Sequence, residues 1–153
     1  MSQHTVYLVL GTNIGNRYKN LSNARSEINN LPETKILKKS KIYKSSFYGP
    51  IEQPIFFNLA LKIKTQLSPI SLLKHLQKFE KKLKREKNSH MKPRTIYIDI
   101  IFFDDLQIKK PKLTIPHYDW KNRDFFIKPL LEINCEHVQN EVSELNLKAS
   151  QKF

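Results

Sequence analysis

Phe57-Asn58-Leu59-Ala60-Leu61-Lys62-Ile63-Lys64, followed by an apolar stripe from Leu72 to Leu83, decides the fold class of this chain. In the first segment large apolar residues alternate with small or polar ones, which is the period of a half-buried β-strand. After the helix-start signal Ser68-Pro69, leucine and phenylalanine recur every three or four residues, which predicts an amphipathic helix. A strand and a helix that each bury one face imply a sheet covered by helices.

The rest of the core follows from similar patterns. They predict a strand at Val6–Leu10, a helix at Arg17–Leu31, and further strands at Ser40–Ser46 and Thr95–Phe103. The resulting order, β-α-β-β-α-β, is the ferredoxin-like pattern. With right-handed crossovers, two helices cover one face of a four-stranded antiparallel sheet. We therefore predict an α+β fold with this core.

The sequence from Asp104 to Phe153 predicts additions to the core. Short strands are expected around Gln107–Lys109 and Leu113–Ile115, and one or two helices after them.

Length and composition bound the class of protein. The 153 residues, with 39% hydrophobic and 27% charged side chains, predict a single globular domain over residues 1–153. The longest nearly apolar run, Ile96–Phe103, is far shorter than the roughly 20 residues of a membrane-spanning helix. The first residues lack the pattern of a secretory signal. The single cysteine, Cys135, excludes an internal disulfide, so we expect a cytoplasmic protein.

The net charge is strongly positive. Lysine and arginine total 27 against 14 acidic residues, which gives +13. Such a balance favours anionic partners, namely nucleic acid, phosphate-rich substrates or a membrane surface. Only five of the 27 are arginines, and a drift of the composition toward lysine explains the excess equally well. The charge alone leaves the partner open.

Two connections are longer than the usual length of about 4–6 residues. Ser45–Phe56 joins the second and third strands, and Arg85–Arg94 joins the long helix to the fourth strand. Long loops in a compact domain often carry binding sites or act as lids. The second loop is rich in cations, so it is either a solvated basic loop or a clamp over phosphates.

The fourth strand carries the strongest chemical signal. Tyr97 and Asp99 point to the same side, because side chains alternate along a strand. A carboxylate on so apolar a strand is costly unless it binds a cation or pairs with a base. Asp99 therefore predicts a ligand of Mg²⁺, which proteins hold with one or two carboxylates while phosphates and waters complete the shell.

Two other segments indicate binding. Phe56, Phe57 and Asn58 combine aromatic rings with an amide, which suits a flat heterocycle, although alternation sends the two rings to opposite faces. The segment Leu113–Phe125 concentrates His, Tyr, Trp and Arg side chains. Arginine is well suited to phosphate. The structural alternative for this segment is a turn with Asn122 as a helix cap.

Four ordered segments give the chain a resemblance to the hydroxymethyldihydropterin pyrophosphokinase family of folate biosynthesis. They are the glycine turn Gly11–Asn16, Gly49–Asn58, Arg94–Ile100 and Leu113–Phe125. Gly49–Asn58 is similar to the family's Gly-Pro-x-x-Gln-Pro-x-x-x-Asn loop. The family transfers pyrophosphate from ATP to the hydroxymethyl group of 6-hydroxymethyl-dihydropterin and releases AMP. Its two Mg²⁺ ions bridge the phosphates and the carboxylates of the fourth strand.

The resemblance implies a role for each matching position. The implied catalytic residues are Arg85, Arg94 and His117, and the implied metal ligand is Asp99. The implied nucleotide contacts are Gln77, Lys87, Lys112, Thr114, Tyr118 and Arg123. The implied pterin contacts are Ser45, Tyr48, Phe56, Asn58 and Phe125. ATP and a reduced pterin are the implied partners and Mg²⁺ the cofactor; neither nucleic acid nor membrane is expected as a partner, and a monomer is expected.

One departure from the family concerns the metal site. Where the family pairs two aspartates on one strand face, this chain has Tyr97 and Asp99. A phenol, with a pKa of about 10, is a poor Mg²⁺ ligand near neutral pH. A first alternative is therefore a weakened or inactive pterin- or nucleotide-binding relative. A second, from another class, is a basic RNA-binding module, which shares the element order but needs aromatics on an open sheet face.

Overall fold

The computed structural model describes residues 2–45, 54–87 and 95–151, with all their side chains except those of residues 84–87 and 145–151. An antiparallel five-stranded sheet lies between two layers of helices. The elements are β1 (His4–Thr12), α1 (Arg17–Asn29), β2 (Thr34–Lys39), β3 (Tyr43–Ser45), β4 (Phe56–Thr65), α2 (Pro69–Lys87), β5 (Tyr97–Phe103), β6 (Ile108–Lys110), β7 (Leu113–Ile115), a 3₁₀ helix (Trp120–Asn122), α3 (Asp124–Glu132) and α4 (Glu136–Gln151). The predicted α+β class is confirmed.

The sheet has the strand order of a ferredoxin-like core. Its order is β2-β4-β1-β5, and β3 also pairs with β4. β2 and β3 together take the place of the predicted second strand. β1 is central, with β4 and β5 antiparallel on either side, and it is buried from Val6 to Thr12. β1 therefore supports the neighbouring strands from the centre of the sheet.

The predicted second strand, Ser40–Ser46, is wrong in its extent. The edge of the sheet consists of two segments, β2 and β3, and Ser40 lies between them. Ser40 stays attached to β4: its N–H donates to the Ala60 carbonyl at 2.9 Å, and its Oγ accepts from the Ala60 N–H at 2.9 Å. β2 is an exposed, lysine-rich edge strand, so it lacks the alternation that reveals a half-buried strand.

One face of the sheet is covered by α1 and α2. Asn16 caps α1 by accepting a 3.1 Å hydrogen bond from the Lys19 N–H. The residues that these helices bury against the sheet are spaced by three and four positions: Leu21, Ala24 and Ile28 on α1, and Leu72, Leu76 and Phe79 on α2. α2 continues to Lys87, so the first part of the predicted Arg85–Arg94 loop is helical, and residues 88–94 lie outside the described residues.

The opposite face of the sheet is covered by α3 and α4. Tyr7, Val9 and Phe102 of the sheet share a buried cluster with Phe126 of α3 and Val138 of α4. An RNA-binding module of the kind considered above needs this face open to bases, so the arrangement argues against that alternative. Within the described ranges, no helix has the length and apolar character needed to cross a membrane.

Candidate active site

Three neighbouring strands carry a row of residues at one end of the sheet. Gly11 of β1 is the register partner of both Asn58 on β4 and Tyr97 on β5. The Tyr97 ring crosses above Gly11, and its hydroxyl donates a buried 2.7 Å hydrogen bond to Oδ1 of Asn58. A Cβ atom on Gly11 would lie 1.8 Å from Cε2 of Tyr97. Only glycine leaves room for this ring.

Asn58 also ties β4 to the edge segment β3. Its Nδ2 donates to Oγ of Ser45 at 2.7 Å and to the Tyr43 carbonyl at 3.2 Å. Asn58 is completely buried, and its hydrogen bonds satisfy the requirement of a buried amide for partners on both of its ends. Ser45 and Asn58, which are both predicted pterin contacts, are thus hydrogen-bonded to each other.

Two of the predicted aromatic contacts pack against the buried cluster that includes Tyr97. The Phe56 ring meets the Tyr97 ring edge-on, with centroids 5.9 Å apart, and Phe125 packs edge-on against Phe126 at 5.1 Å. Both Phe56 and Phe125 are partly buried against the cluster below α3. Phe57 belongs to the cluster on the other face, as strand alternation predicts. This face of the sheet therefore carries apolar rings close to the hydrogen-bonded side chains of Ser45, Asn58 and Tyr97.

A second group of predicted residues lines a cleft of about 320 Å³ beside α2, β5 and β7. Six of the predicted site residues line it: Gln77, Asp99, Lys112, Thr114, His117 and Tyr118. Glu80 of α2 lines it as well, and its carboxylate accepts a 3.0 Å hydrogen bond from the Ile98 N–H. This bond anchors α2 to the edge strand, so the two walls of the cleft are held together.

His117 is placed by an irregularity in β5. The β1–β5 register shifts next to Ile101, and the Ile101 carbonyl accepts a 3.0 Å hydrogen bond from the His117 N–H. Burial, together with the nearby Arg123 guanidinium, lowers the pKa of His117 to about 4. Its Nδ1 accepts from the Asp119 N–H at 3.1 Å. A neutral imidazole whose Nδ1 is an acceptor carries its proton on Nε2, so this nitrogen is a donor.

Asp119 is a residue that the sequence reasoning did not single out. Its carboxylate accepts from Asn122 Nδ2 and Arg123 Nε, each at 2.9 Å, and these bonds lower its pKa. The four-residue spacing between Asp119 and Arg123 was the available signal, because residues four apart face each other across one helical turn. Asn122 is not a helix cap: it belongs to the 3₁₀ helix, and α3 begins only at Asp124.

Arg123 lies between the two groups of residues. Its guanidinium carbon is 5.9 Å from the Tyr118 ring centroid on the cleft side and 5.8 Å from the Phe125 ring centroid on the aromatic side. A cation at this position can contact a ligand that extends from the cleft to the aromatic rings. The arrangement thus suits a flat ring at one end and an anionic group at the other.

Comparison with known protein families decides the assignment. The family described as 7,8-dihydro-6-hydroxymethylpterin-pyrophosphokinase (HPPK) matches residues 7–135. The chain belongs to the HPPK family. The resemblance noted from the sequence is therefore confirmed.

Curated HPPK relatives match over most of the chain. The 2-amino-4-hydroxy-6-hydroxymethyldihydropteridine pyrophosphokinase of Haemophilus influenzae is 40% identical over 134 residues, which are 88% of this chain and 84% of the relative. The enzyme of the same name from Aquifex aeolicus is 40% identical over 129 residues, which are 84% of this chain and 79% of the relative. The bifunctional protein FolKE of Lactococcus lactis is 43% identical over 129 residues, but the chain spans only 37% of its length.

Solved structures of HPPK-containing proteins share the fold. The Plasmodium falciparum HPPK-DHPS crystallised with pteroate aligns with a TM-score of 0.63 over 86% of this chain and 39% of that one, at 17% identity. At this level of identity the likeness establishes the architecture alone.

Four of the residues expected from the HPPK resemblance cannot be placed in the site. Tyr48 and Arg94 lie outside the described residues, and so do the side chains of Arg85 and Lys87, whose backbone belongs to the last part of α2. Their roles stay predictions.

The cleft fits an Mg²⁺ ion only if bound substrate and water supply most of its ligands. In the part of the chain that the structure describes, no three His, Cys, Asp or Glu side chains are close enough to hold a metal ion. The Tyr97 hydroxyl is directed at Asn58. Asp99 lines the cleft beside Lys112 and Thr114, so it suits an ion whose other ligands come from bound phosphates and water.

Proposed function

We propose that this chain transfers pyrophosphate from ATP to the hydroxymethyl group of 6-hydroxymethyl-7,8-dihydropterin in folate biosynthesis. In this reaction the substrate hydroxyl oxygen bonds to the β-phosphorus, the bond from that phosphorus to the oxygen bridging it to the α-phosphate breaks, and AMP leaves. The hydroxyl proton is released. Membership of the HPPK family and the names of its curated relatives support the proposal.

The observation that carries the proposal is the convergence of six predicted residues on one cleft. Gln77, Thr114 and Lys112 line it together with His117, and all four side chains offer hydrogen-bond donors, as phosphate oxygens require. Phosphoryl-type transfer depends mainly on alignment and on neutralisation of developing charge. A fixed set of donors beside a cation supplies both.

His117 acts in this proposal as a neutral donor. With the pKa lowered to about 4 and Nδ1 engaged by the Asp119 N–H, Nε2–H is held ready to donate to a phosphate oxygen. Arg123 is held by the Asp119 carboxylate and supplies positive charge between the phosphates and the pterin. Both groups are oriented before the substrate arrives, which lowers the cost of reorganisation during the reaction.

The pterin is proposed to bind at the other end of the site. Phe56 and Phe125 would flank its ring, and Ser45 and Asn58 would bond its polar edge. Aromatic faces supply affinity for a flat heterocycle, while polar groups define its orientation.

Mg²⁺ is proposed as the cofactor, with Asp99 as its protein ligand. When bound with ATP, the ion supplies charge neutralisation and alignment of the phosphates. One carboxylate is sufficient for this role, because Mg²⁺ commonly takes most of its ligands from substrate phosphates and water. A monomer and a cytoplasmic location also stay predictions, the latter supported by the free, buried thiol of Cys135.

The test is an assay of AMP release from ATP by the purified protein. Protein, ATP, Mg²⁺ and the reduced pterin alcohol together should give AMP and the pterin pyrophosphate. Omission of either Mg²⁺ or the pterin should abolish the signal. Formation of ADP with a pterin monophosphate, or no turnover at all, would overturn the proposal.

A further inference from the structure

The carboxamide of Asn58 is engaged on both sides by the protein itself. On the β3 side its Nδ2 donates to Ser45 and to the Tyr43 carbonyl, and on the β5 side its Oδ1 accepts from Tyr97. The side chain is completely buried. The inference below rests on the proposed function, in which Asn58 bonds the edge of the pterin.

The orientation of this carboxamide follows from its partners. The Tyr43 carbonyl is an acceptor only, so the nitrogen of Asn58 must face β3 and the oxygen must face β5. The Tyr97 hydroxyl is consequently the donor in the 2.7 Å bond. Asn58 can therefore offer a ligand only its oxygen, and that oxygen already holds a proton donor.

Tyr97 contacts both that oxygen and the Phe56 ring. The Tyr97 ring spans the strand between its own and that of Asn58, in the space left by Gly11. Phe56 is a proposed pterin contact, and its ring packs edge-on against the Tyr97 ring with the ring centroids 5.9 Å apart. A ring that binds against Phe56 thus arrives beside the Tyr97–Asn58 bond.

We propose that Tyr97 is a gate that sets the affinity of the pterin site. The polar edge of a pterin carries N–H donors. The Asn58 oxygen has two lone pairs, but the side chain is completely buried, so a pterin N–H reaches Oδ1 by displacing the Tyr97 hydroxyl that covers it. Binding then exchanges one hydrogen bond for another, so the contact adds little net affinity. The class of ligand that can displace the Tyr97 hydroxyl from Asn58 is a flat heterocycle with an N–H donor at its edge.

Removal of the hydroxyl should strengthen pterin binding. In Tyr97→Phe the unliganded protein keeps a buried Asn58 oxygen that has lost its donor, which is unfavourable. A pterin N–H restores a partner, so the relief of this cost is added to the binding free energy. The expected fall in Kd is on the order of tenfold.

The experiment measures the Kd of 6-hydroxymethylpterin by calorimetry in the presence of Mg²⁺ and a non-hydrolysable ATP analogue. The matched control is Tyr7→Phe, which removes a phenol buried on the same face of the sheet. Tighter binding to Tyr97→Phe, with the wild-type Kd retained by Tyr7→Phe, supports the gate. An unchanged or weaker affinity of Tyr97→Phe, with or without a lower melting temperature, would show a merely structural hydroxyl and overturn it.

Two further outcomes are informative. If the wild-type protein fails to bind the pterin, the proposed function fails, and the gate with it; if the wild type binds but Tyr97→Phe does not bind more tightly, only the gate fails. Should Tyr97→Phe not fold, Tyr97→Leu also lacks the hydroxyl, keeps apolar volume above Gly11, and must show the same gain in affinity.

Discussion

The backbone N–H of Asp119 donates a 3.1 Å hydrogen bond to Nδ1 of His117. The carboxylate of the same residue accepts from Nε of Arg123 at 2.9 Å. One residue therefore fixes two groups of the site through different atoms: the backbone sets the tautomer of the imidazole, and the side chain holds the guanidinium. These two roles can be separated by mutation, because a substitution at Asp119 removes only the second.

We expect Asp119→Ala to lower kcat/KM for ATP by about tenfold, because the misplaced Arg123 no longer meets the phosphates. The imidazole should keep its Nε2–H tautomer, which ¹⁵N NMR of labelled histidine reports directly. Asp105→Ala, at a fully exposed aspartate side chain, is the matched control and should resemble the wild type. A variant that loses the tautomer, or that turns over at the wild-type rate, would contradict this division of roles.

The lowered pKa of His117 predicts a pH dependence of stability. Its folded-state pKa of about 4 lies below the ordinary value of 6.5, so between these values the unfolded chain binds more protons at this site than the folded protein does. The free energy of unfolding should therefore fall as the pH decreases from about 6.5 to about 4. Urea denaturation at several pH values should show a shallower dependence for His117→Gln. Equal slopes for the two proteins would refute the assigned cause.

The space above Gly11 predicts a strong coupling between two sites. A methyl group at Gly11 would collide with the buried Tyr97 ring, at 1.8 Å from Cε2, so Gly11→Ala should lower the free energy of unfolding by about 1–3 kcal/mol. Replacement of the ring should relieve the collision. In a double-mutant cycle measured by urea denaturation, Gly11→Ala should therefore cost much less in a Tyr97→Ala background. Additive effects would show that the ring does not depend on this glycine.

The sequence predicted those parts of the fold whose burial leaves a periodic pattern. β4 is buried over almost all of its first half and alternates only in its second half, where Leu61 and Ile63 are buried and the lysines between and after them are partly exposed. α2 has its stripe because one side meets the sheet. β2 was missed because Lys35, Lys38 and Lys39 of this edge strand are exposed. At such an edge, backbone pairing with β4 forms the strand with little contribution from side-chain burial.

The candidate site was predictable in its residues but not in their contacts. The resemblance named Asn58 and drew attention to Tyr97, but these residues are 39 positions apart in the chain, and their contact depends on the register of three strands. The role of Asp119 depends likewise on the turn that brings its N–H to His117. Patterns along a sequence report burial; they do not report which polar atoms meet across a sheet.

Asp99 predicts a specific change in the requirement for magnesium. If this carboxylate is the protein ligand of the ion, Asp99→Asn keeps the shape of the side chain but removes the charge that attracts Mg²⁺. The concentration of Mg²⁺ that gives half-maximal AMP release should rise by about tenfold or more, which corresponds to a loss of about 1.4 kcal/mol in ion binding.

The matched control for this measurement is Asp104→Asn at the far end of β5. Asp104 accepts from the Thr5 N–H at 2.7 Å and pairs with His4 at 2.7 Å, so its loss should reduce stability without changing the Mg²⁺ dependence. An increase confined to Asp99→Asn would show that the charge acts on the ion. The same increase in both variants would point to a general electrostatic effect, and no increase in Asp99→Asn would exclude Asp99 as the ligand.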